Sequence, residues 1–181
     1  QYEDGAYTLY VKNNSIEKLP PQNLEAEQSL LGCLLLDKES IYKIVDILNP
    51  EDFYNNNNKE IFAAMLELFN SQQPIDIITL SNRLEEKKIL QEVGGRTYLA
   101  QLSNAVATAA NTVNYANLIQ KKATLRRLQI SASEIMDLSF EEEREIDEVL
   151  DQAEKKIFGV SRKYLKNSFS SIDGLLNQAF E

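Results

Sequence analysis

The order of apolar and polar residues predicts a chain of helices. Apolar side chains lie almost all round the segment from Leu24 to Leu36, as expected of a helix that is buried on most sides. Pro20 and Pro21 come shortly before this segment. Because proline fixes its own φ and keeps the residue before it extended, a helix can begin after this pair but cannot continue through it. The sequence therefore predicts that a domain begins here with a central helix.

Two further helical segments follow at short spacing. Asp37 is placed to cap a second helix that runs to about Leu48, with apolar residues at helical intervals. Asn49 and Pro50 then have the composition of a helix start, because asparagine accepts from free N–H groups and proline fits the first turn. We expect this third segment to be a single turn.

Three more helices are predicted before residue 110. One begins near Asn57, with Glu60 three residues later in the arrangement of a capping box. The next is capped by Asp76, and the last follows the break that Gly94 and Gly95 make in the chain. We therefore expect residues 20–109 to form a compact all-α globular subdomain.

The pattern changes after residue 109, where two long helices are predicted to form an antiparallel hairpin. The first runs to about Leu138 and the second from about Ile146 to Val160. Their apolar residues fall on two matching seams with coiled-coil spacing, which we interpret as the self-association interface. The seam residues are Leu118, Leu125, Leu128, Ala132 and Ile135 on the first helix and Ile146, Val149, Leu150, Ala153 and Ile157 on the second.

The first hairpin helix carries a second apolar stripe, formed by Tyr115, Ile119, Ala123 and Ile130. Each helix of a hairpin can cover only one stripe of its partner, so this surplus surface is expected to meet another chain. The alternative is that the stripe packs back on the globular subdomain.

The two ends of the chain complete the predicted organisation. Residues 1–19 form a flexible arm, or one that is ordered only against a neighbouring subunit, and the hairpin occupies residues 110–161. Residues 162–181 are a polar linker followed by a short helix that Ser170 and Asp173 open as a capping box. So short a helix needs packing to be stable, on another chain or on this chain's own globular subdomain. Its docking residues are Ile172, Leu175, Leu176 and Phe180.

Composition and charge favour a protein that binds other proteins. The chain has 181 residues, 43% of them hydrophobic, which suffices for a real core. It carries 28 acidic and 19 basic side chains, and the resulting net charge of −9 argues against a grip on nucleic-acid phosphates. The one basic cluster, Lys121, Lys122, Arg126 and Arg127, we interpret as a solvated helix face. No membrane span or signal peptide is predicted, so we expect a reducing compartment.

The sequence offers little catalytic or metal-binding chemistry. None of the six glycines precedes the Lys-Ser/Thr pair of a phosphate-binding loop. Cys33 is the only cysteine and histidine is absent, which excludes a thiolate zinc site and predicts a cysteine in the core. The acidic run at residues 141–143 falls at the predicted hairpin turn, where a solvated loop is expected. We therefore predict no catalytic, cofactor-binding or metal-binding residue.

An ordered set of short motifs links the chain to a known family. Together they resemble the N-terminal domain of DnaB-type replicative DNA helicases, and the similarity runs from about Leu19 to the C-terminus. Asn58 departs from this pattern, because the family commonly has histidine there. The motifs are the segment of residues 20–32, Asp52-Phe53-Tyr54, residues 61–65, Pro74-Ile75-Asp76, Gly94-Gly95-Arg96-Thr97-Tyr98-Leu99, and residues 150–154 followed by Ile157-Phe158.

The resemblance implies a non-catalytic collar within a larger motor protein. Hairpins of neighbouring subunits would pair into dimers that assemble as a hexameric ring, and the short C-terminal helix would dock on the motor domain of the adjacent subunit. ATP and Mg²⁺ would bind only in that motor domain, beyond residue 181. The collar would receive the C-terminal domain of primase, through Tyr98 and Ile135, and a helicase loader. Localisation would be the bacterial cytoplasm or the plastid stroma.

Two other classes of function are compatible with the residues alone. One is a free-standing helical adaptor or regulator whose acidic surface recruits basic partners. The other is a small hydrolase that uses carboxylates. A dimer-based assembly in light scattering distinguishes the helicase collar from a monomeric adaptor, and metal-dependent turnover of a nucleotide or ester would indicate the hydrolase.

Overall fold

The computed structural model describes residues 19–179, apart from the side chains of residue 163 and of residues 165–179. Six α-helices follow one another: α1 (Leu24–Leu36), α2 (Asn56–Asn70), α3 (Ile77–Glu86), α4 (Gly95–Asn104), α5 (Thr112–Leu138) and α6 (Ile146–Ala179). Two short 3-10 helices, Lys38–Lys43 and Pro50–Asp52, lie between α1 and α2. The predicted all-α class is confirmed for the described part of the chain. The predicted arm lies almost wholly outside it.

Helix α1 is the centre of the globular subdomain. Asn23 caps it by accepting a hydrogen bond from the N–H of Ala26 at 3.0 Å. Leu30, Leu31 and Leu34 are fully buried along it, because α2, α4 and the first half of α5 all pack against this helix. Burial on several sides therefore explains why apolar residues lie almost all round this segment, as the sequence predicted.

Gly32 allows α4 to approach α1 closely. A Cβ atom at this position would overlap the carbonyl oxygen of Leu102, near the C-terminal end of α4, and would crowd the side chain of Val106 at 3.1 Å. Hydrogen is therefore the only side chain that fits without a shift of one helix against the other.

The segment after α1 differs from its prediction. A 3-10 helix, Lys38–Lys43, replaces the expected longer helix to Leu48. Asp37 does cap it, accepting from the N–H of Glu39 at 3.0 Å and from the hydroxyl of Ser40 at 2.9 Å. The hydrogen bond from Ser40 is the main reason why the pKa of Asp37 is lowered. Ile41, within this 3-10 helix, and Ile44, directly after its end, are both buried, a spacing that fits three residues per turn.

The remaining caps of the globular subdomain mostly follow the sequence. The carboxylate of Asp76 accepts from the N–H groups of Ile78 and Thr79, each at 2.9 Å, and opens α3 as predicted. Gly94 and Gly95 both have positive φ, of 106° and 68°, at the start of α4. A positive φ of this kind favours glycine, so the break that this pair makes is confirmed.

The cap of α2 was predicted at the wrong residue. Helix α2 begins at Asn56, and Asn55 caps it by accepting from the N–H of Asn58 at 3.1 Å. The expected capping box of Asn57 and Glu60 is therefore not the start of this helix. Asn55 directly precedes the helix and has an extended backbone. Its side chain can therefore accept from the free N–H groups of the first turn.

The hairpin is present, but its second helix is longer than predicted. Helix α6 continues from Ile146 to Ala179 without the break that was expected in residues 161–168. Those residues are polar but include neither proline nor an internal glycine, so nothing in their backbone chemistry stops the helix. The side chains of Ile172, Leu175 and Leu176 and the whole of Phe180 lie outside the described part, so their docking role stays a prediction.

Candidate functional site: the helical hairpin

The first half of α5 anchors the hairpin to the globular subdomain. Ala116, Ile119 and Ala123 are buried, and Gln120 donates from Nε2 to the carbonyl oxygen of Ile47 at 3.1 Å. Ala116 and Ile119 belong to the same core as α1, and Tyr115 packs partly buried against it. The surplus stripe predicted to meet another chain therefore packs on its own globular subdomain along most of its length. Only Ile130 of that stripe remains exposed, because it lies beyond the globular subdomain.

Two arginines mark the point where α5 leaves the globular subdomain. Arg126 donates from Nη1 to the carbonyl oxygen of Pro21 at 2.7 Å and from Nη2 to that of Asp52 at 2.5 Å. Its guanidinium also lies over the ring of Tyr54, 5.6 Å from the centroid, where a cation–π attraction is expected. Burial lowers the pKa of Arg126, while the carboxylates of Glu27 and Asp52 act in the opposite direction.

Arg127 forms the partner ion pair. Its Nη1 donates to Oδ1 of Asp52 at 2.6 Å, and the carboxylate of Asp52 is fully buried. The other oxygen of Asp52 accepts from the backbone N–H of Asn49 at 2.9 Å. The interpretation of the basic cluster as a solvated face is therefore wrong for both arginines, which join α5 to the segment between α1 and α2. Of the two lysines, Lys121 is exposed and Lys122 is half-buried.

Beyond this junction, α5 and α6 pack against each other. The two helices are joined by an ion pair from Lys156 Nζ to Glu134 Oε2 at 2.7 Å. Leu138 and Ser131 are the buried residues of this part of α5. A groove of about 450 Å³ opens between the helices and is lined mainly by apolar side chains. The lining residues are Ile135, Ala153, Glu154, Ile157, Phe158 and Ser161.

Most of the predicted seam residues are exposed in the single chain. Leu128 retains 43% of its accessible surface and Ile157 retains 44%, and the other large seam residues are similarly open. Ile135, Val149 and Ala153 are half-buried between the helices, and Ala132 is exposed. The predicted seam therefore leaves most of its apolar side chains open to solvent in the single chain. The exposed large residues of the seam are Leu118, Leu125, Leu128, Ile146, Leu150 and Ile157.

Tyr98 and Ile135, the residues suggested for primase contact, have different surroundings. Ile135 lines the hairpin groove. Tyr98 lies on α4, half-buried, and its hydroxyl donates to Oδ1 of Asn58 at 2.8 Å and accepts from Nε2 of Gln28 at 3.3 Å. The polar end of Tyr98 is therefore already used inside the globular subdomain.

Asn58 belongs to a buried polar network that the sequence analysis did not find. Its Nδ2 donates to Oε2 of Glu27 at 3.0 Å, and both residues are almost fully buried. Glu27 also accepts from the backbone N–H of Tyr54 at 2.7 Å. One signal could have revealed the network, because residue 58 lies on the same face of α2 as the buried Ile61 and Met65. A polar residue on a buried face needs a polar partner.

The described residues show neither a metal centre nor a membrane segment. Among them no group of three or more histidine, cysteine, aspartate or glutamate residues is arranged to hold a metal ion. None of the helices in residues 19–179 combines the length and the apolar character needed to cross a lipid bilayer. Cys33 is buried in the core as predicted, and burial raises the pKa of its thiol.

Comparison with known proteins gives a consistent result. The family model of the DnaB-like helicase N-terminal domain matches residues 19–121. The replicative DNA helicase DnaB of Geobacillus stearothermophilus is 39% identical over 165 residues, which cover 91% of this chain and 36% of that protein. The replicative DNA helicase DnaC of Bacillus subtilis (strain 168) is 36% identical over 165 residues, which again cover 91% of this chain and 36% of that protein. The chain thus spans little more than a third of the length of these relatives.

Solved structures have the same fold. The N-terminal domain of DnaB helicase from Mycobacterium tuberculosis superposes with a TM-score of 0.74 at 36% identity, covering 78% of this chain and 99% of that one. A DnaB-like replicative helicase, described with its interactions with primase, gives a TM-score of 0.65 at 23% identity, covering 76% of this chain and 31% of that one. At that identity the second likeness concerns the fold alone.

Proposed function

This chain belongs to the family of DnaB-like helicase N-terminal domains, and we propose that it is the collar of a hexameric replicative DNA helicase, in which it holds subunits together and performs no catalysis. The activity of such a helicase would reside in a motor domain beyond residue 181, with ATP and Mg²⁺ as its cofactors. The absence of a phosphate-binding loop from the chain supports this division of roles.

The exposed seam of the hairpin carries this proposal. Six large apolar side chains of two adjacent helices remain exposed in the single chain. Exposed apolar patches of this kind mark protein–protein contacts in soluble proteins. Like elements in homo-oligomers usually pair through the same surface on both subunits, so we propose that hairpins pair into dimers and that dimers build the ring.

Partner recruitment is the second part of the proposal. The net charge of −9 disfavours contact with the DNA backbone and suits basic protein partners. We propose that the C-terminal domain of primase and a helicase loader bind to this collar. Ile135, which lines an open apolar groove, is the better supported of the two suggested contact residues. Tyr98 donates a hydrogen bond to Asn58 inside the globular subdomain, so its substitution would change the fold as well as any partner contact.

A double substitution tests the self-association. Leu128→Glu with Ile157→Glu places two charges in the exposed seam without removing a buried side chain, since both residues are more than 40% exposed. We expect sedimentation velocity to show smaller species than the wild-type assembly, because each charge would have to be desolvated in the interface. The matched control is Ile78→Glu on α3, which changes an isoleucine that is 74% exposed outside the hairpin.

The control should sediment like the wild type. If the double variant keeps the mass of the wild-type assembly while the circular dichroism spectra agree, the hairpin seam is not the interface. If the wild-type chain itself remains a monomer at all accessible concentrations, the collar proposal fails for this chain.

A further inference from the structure

The acidic net charge of the chain is concentrated in one part of the hairpin. Residues 134–154, which form the tip of the hairpin, carry ten acidic side chains and one basic one, a formal charge of −9. Removing these from the 28 acidic and 19 basic side chains of the whole chain leaves 18 of each. The net charge of −9 therefore describes the tip, and it does not argue against an anion-binding surface elsewhere on the chain.

The part of α6 that follows the tip is basic. Residues 155–172 contain five basic side chains and no acidic one. Residues 112–133 of α5 contain four basic side chains and no acidic one, but two of these, Arg126 and Arg127, are held by groups of the globular subdomain. The sequence analysis considered only the basic cluster of α5 and therefore missed the basic segment of α6.

Three side chains of this segment form one exposed stripe. Lys155, Phe158 and Arg162 follow at intervals of three and four residues, so they lie one above another on a single face of the helix. The side chain of Lys155 is 74% exposed, Phe158 is 62% exposed, and Arg162 is exposed as well. Gly159 lies on the same face, and a Cβ atom there would meet nothing within 4 Å. This α6 stripe is therefore an open basic surface with an aromatic ring at its centre.

The α6 stripe lies on the opposite side of the helix from the predicted seam. Ala153 and Ile157 each lie two residues from Lys155, which at 3.6 residues per turn places them about 160° round the helix from it. Phe158, at one edge of the stripe, also borders the hairpin groove. Burial of the seam in the self-association proposed above would therefore leave the stripe accessible. A ligand of the stripe could bind the assembled protein as well as the single chain.

We propose that the α6 stripe binds a single strand of nucleic acid, with phosphate groups on Lys155 and Arg162 and one base stacked on Phe158. Ammonium and guanidinium groups attract phosphate oxygens, and the face of an aromatic ring accepts any base. A cation, a ring and a second cation in line match the alternation of phosphate and base along a strand. The two cations are roughly 10 Å apart along the helix axis at 1.5 Å per residue, so their long side chains can reach phosphates on either side of one stacked base.

The charges around the stripe favour such a strand. Arg162 forms no ion pair in the described part of the chain, and Lys155 pairs at 2.6 Å with Asp151, whose side chain is also exposed. Exposed ion pairs are weak, so a phosphate can compete for this ammonium group. The acidic tip repels phosphate and confines the strand to the basic segment. A peptide partner would bind mainly through apolar side chains held in pockets, whereas the stripe is the convex outer face of a helix.

Fluorescence anisotropy of a labelled oligothymidylate of about 20 nucleotides tests the site in the full chain. At about 0.05 M NaCl we expect a dissociation constant on the order of 10⁻⁵ M, because few phosphates are contacted. Lys155→Gln with Arg162→Gln should raise this constant about tenfold or more. It should also reduce the salt dependence, the slope of log association constant against log[NaCl], by about 1.4, as expected for two phosphates of a single strand. Phe158→Leu should raise the constant roughly fivefold or more without changing the slope, because it removes a stacking ring but no charge.

The matched control removes the same charge from the globular subdomain. Lys38→Gln with Lys43→Gln changes two exposed lysines beside α1 and should leave both the dissociation constant and the salt slope unchanged. Circular dichroism establishes that each variant is folded. Sedimentation velocity establishes that each variant keeps the wild-type assembly, so that weaker binding cannot come from a loss of assembly.

Three results would overturn this inference. If the wild-type chain leaves the anisotropy unchanged at about 0.05 M NaCl, the stripe binds no strand, while the collar proposal is decided separately by its own sedimentation experiment. If the double variant on α6 weakens binding no more than the control does, the strand binds elsewhere. If a polyglutamate peptide of equal charge displaces the labelled strand at a lower concentration than unlabelled oligothymidylate does, the occupant is an acidic protein segment.

Discussion

Arg127→Met should destabilise the fold even though the residue lies on a long, partly exposed helix. The substitution keeps most of the aliphatic stem but removes the guanidinium that neutralises Asp52. That carboxylate has no accessible surface, and Arg127 Nη1 lies 2.6 Å from it. The variant would therefore leave a buried negative charge with only the N–H of Asn49, at 2.9 Å, as its direct donor.

The magnitude follows from the burial of the two partners. Removing one partner of a fully buried ion pair costs about 3–5 kcal/mol. The side chain of Arg127 is 21% exposed, and the Arg126 guanidinium remains beside Asp52, so part of this cost is relieved. We expect a loss of about 2–3 kcal/mol in the free energy of unfolding. For a chain of this size that corresponds to a fall in Tm of about 4–12 °C.

Urea unfolding followed by circular dichroism measures this loss, at one fixed protein concentration because the proposed association would add stability. The control is Lys59→Met, which breaks an ion pair with Glu51. The side chain of Glu51 is 70% exposed, so this change should alter stability by less than about 0.5 kcal/mol. Asp52→Asn combined with Arg127→Met should recover about 1 kcal/mol or more of the loss, because the uncompensated charge is gone. A value for Arg127→Met no larger than that of the control would refute the reasoning.

Two further predictions concern the globular subdomain. Gly32→Ala should destabilise the protein by about 1–2 kcal/mol in urea unfolding, because the clash of its Cβ with the Leu102 carbonyl outweighs the gain of about 1 kcal/mol in helix propensity; a stabilised variant would show that α1 and α4 separate freely. Cys33 should resist alkylation in the folded protein at pH 8 and react on unfolding, because burial raises its pKa. Since the raised pKa lies above that of the unfolded chain, the associated stability is complete below the unfolded pKa and falls as pH rises through the folded one; rapid alkylation without denaturant would contradict this.

Local chemistry explains which parts of the fold the sequence could predict. Asp37, Asp76 and the pair Gly94-Gly95 act on backbone groups only a few residues away, so their effect can be predicted from the neighbouring sequence. The long apolar periodicity of the hairpin identified both of its helices for the same reason. The cap of α2 was misplaced because several candidates stand together in the run of four asparagines at residues 55–58. The capping box of Ser170 and Asp173 does not open a helix, because α6 continues through these residues.

Contacts between distant residues account for what the sequence could not show. Arg127 and Asp52 are separated by 75 positions, and only the packing of α5 against the globular subdomain brings them together. On periodicity alone both arginines are indistinguishable from the neighbouring Lys121, which is exposed. The same holds for Tyr115, Ile119 and Ala123, whose apolar stripe fits either a partner chain or the chain's own core.

The burial of that stripe strengthens the case for assembly. Once Ile119 and Ala123 are committed to the core and Arg126 and Arg127 to fixed acceptors, the base of α5 is held to the globular subdomain on one side only. The opposite side must project as a rigid surface, and it is this side that carries the exposed seam. A surface already fixed before association loses little conformational entropy when a partner binds, so more of its apolar burial contributes to affinity. The contacts that join the hairpin to its own chain therefore also favour the association that we propose.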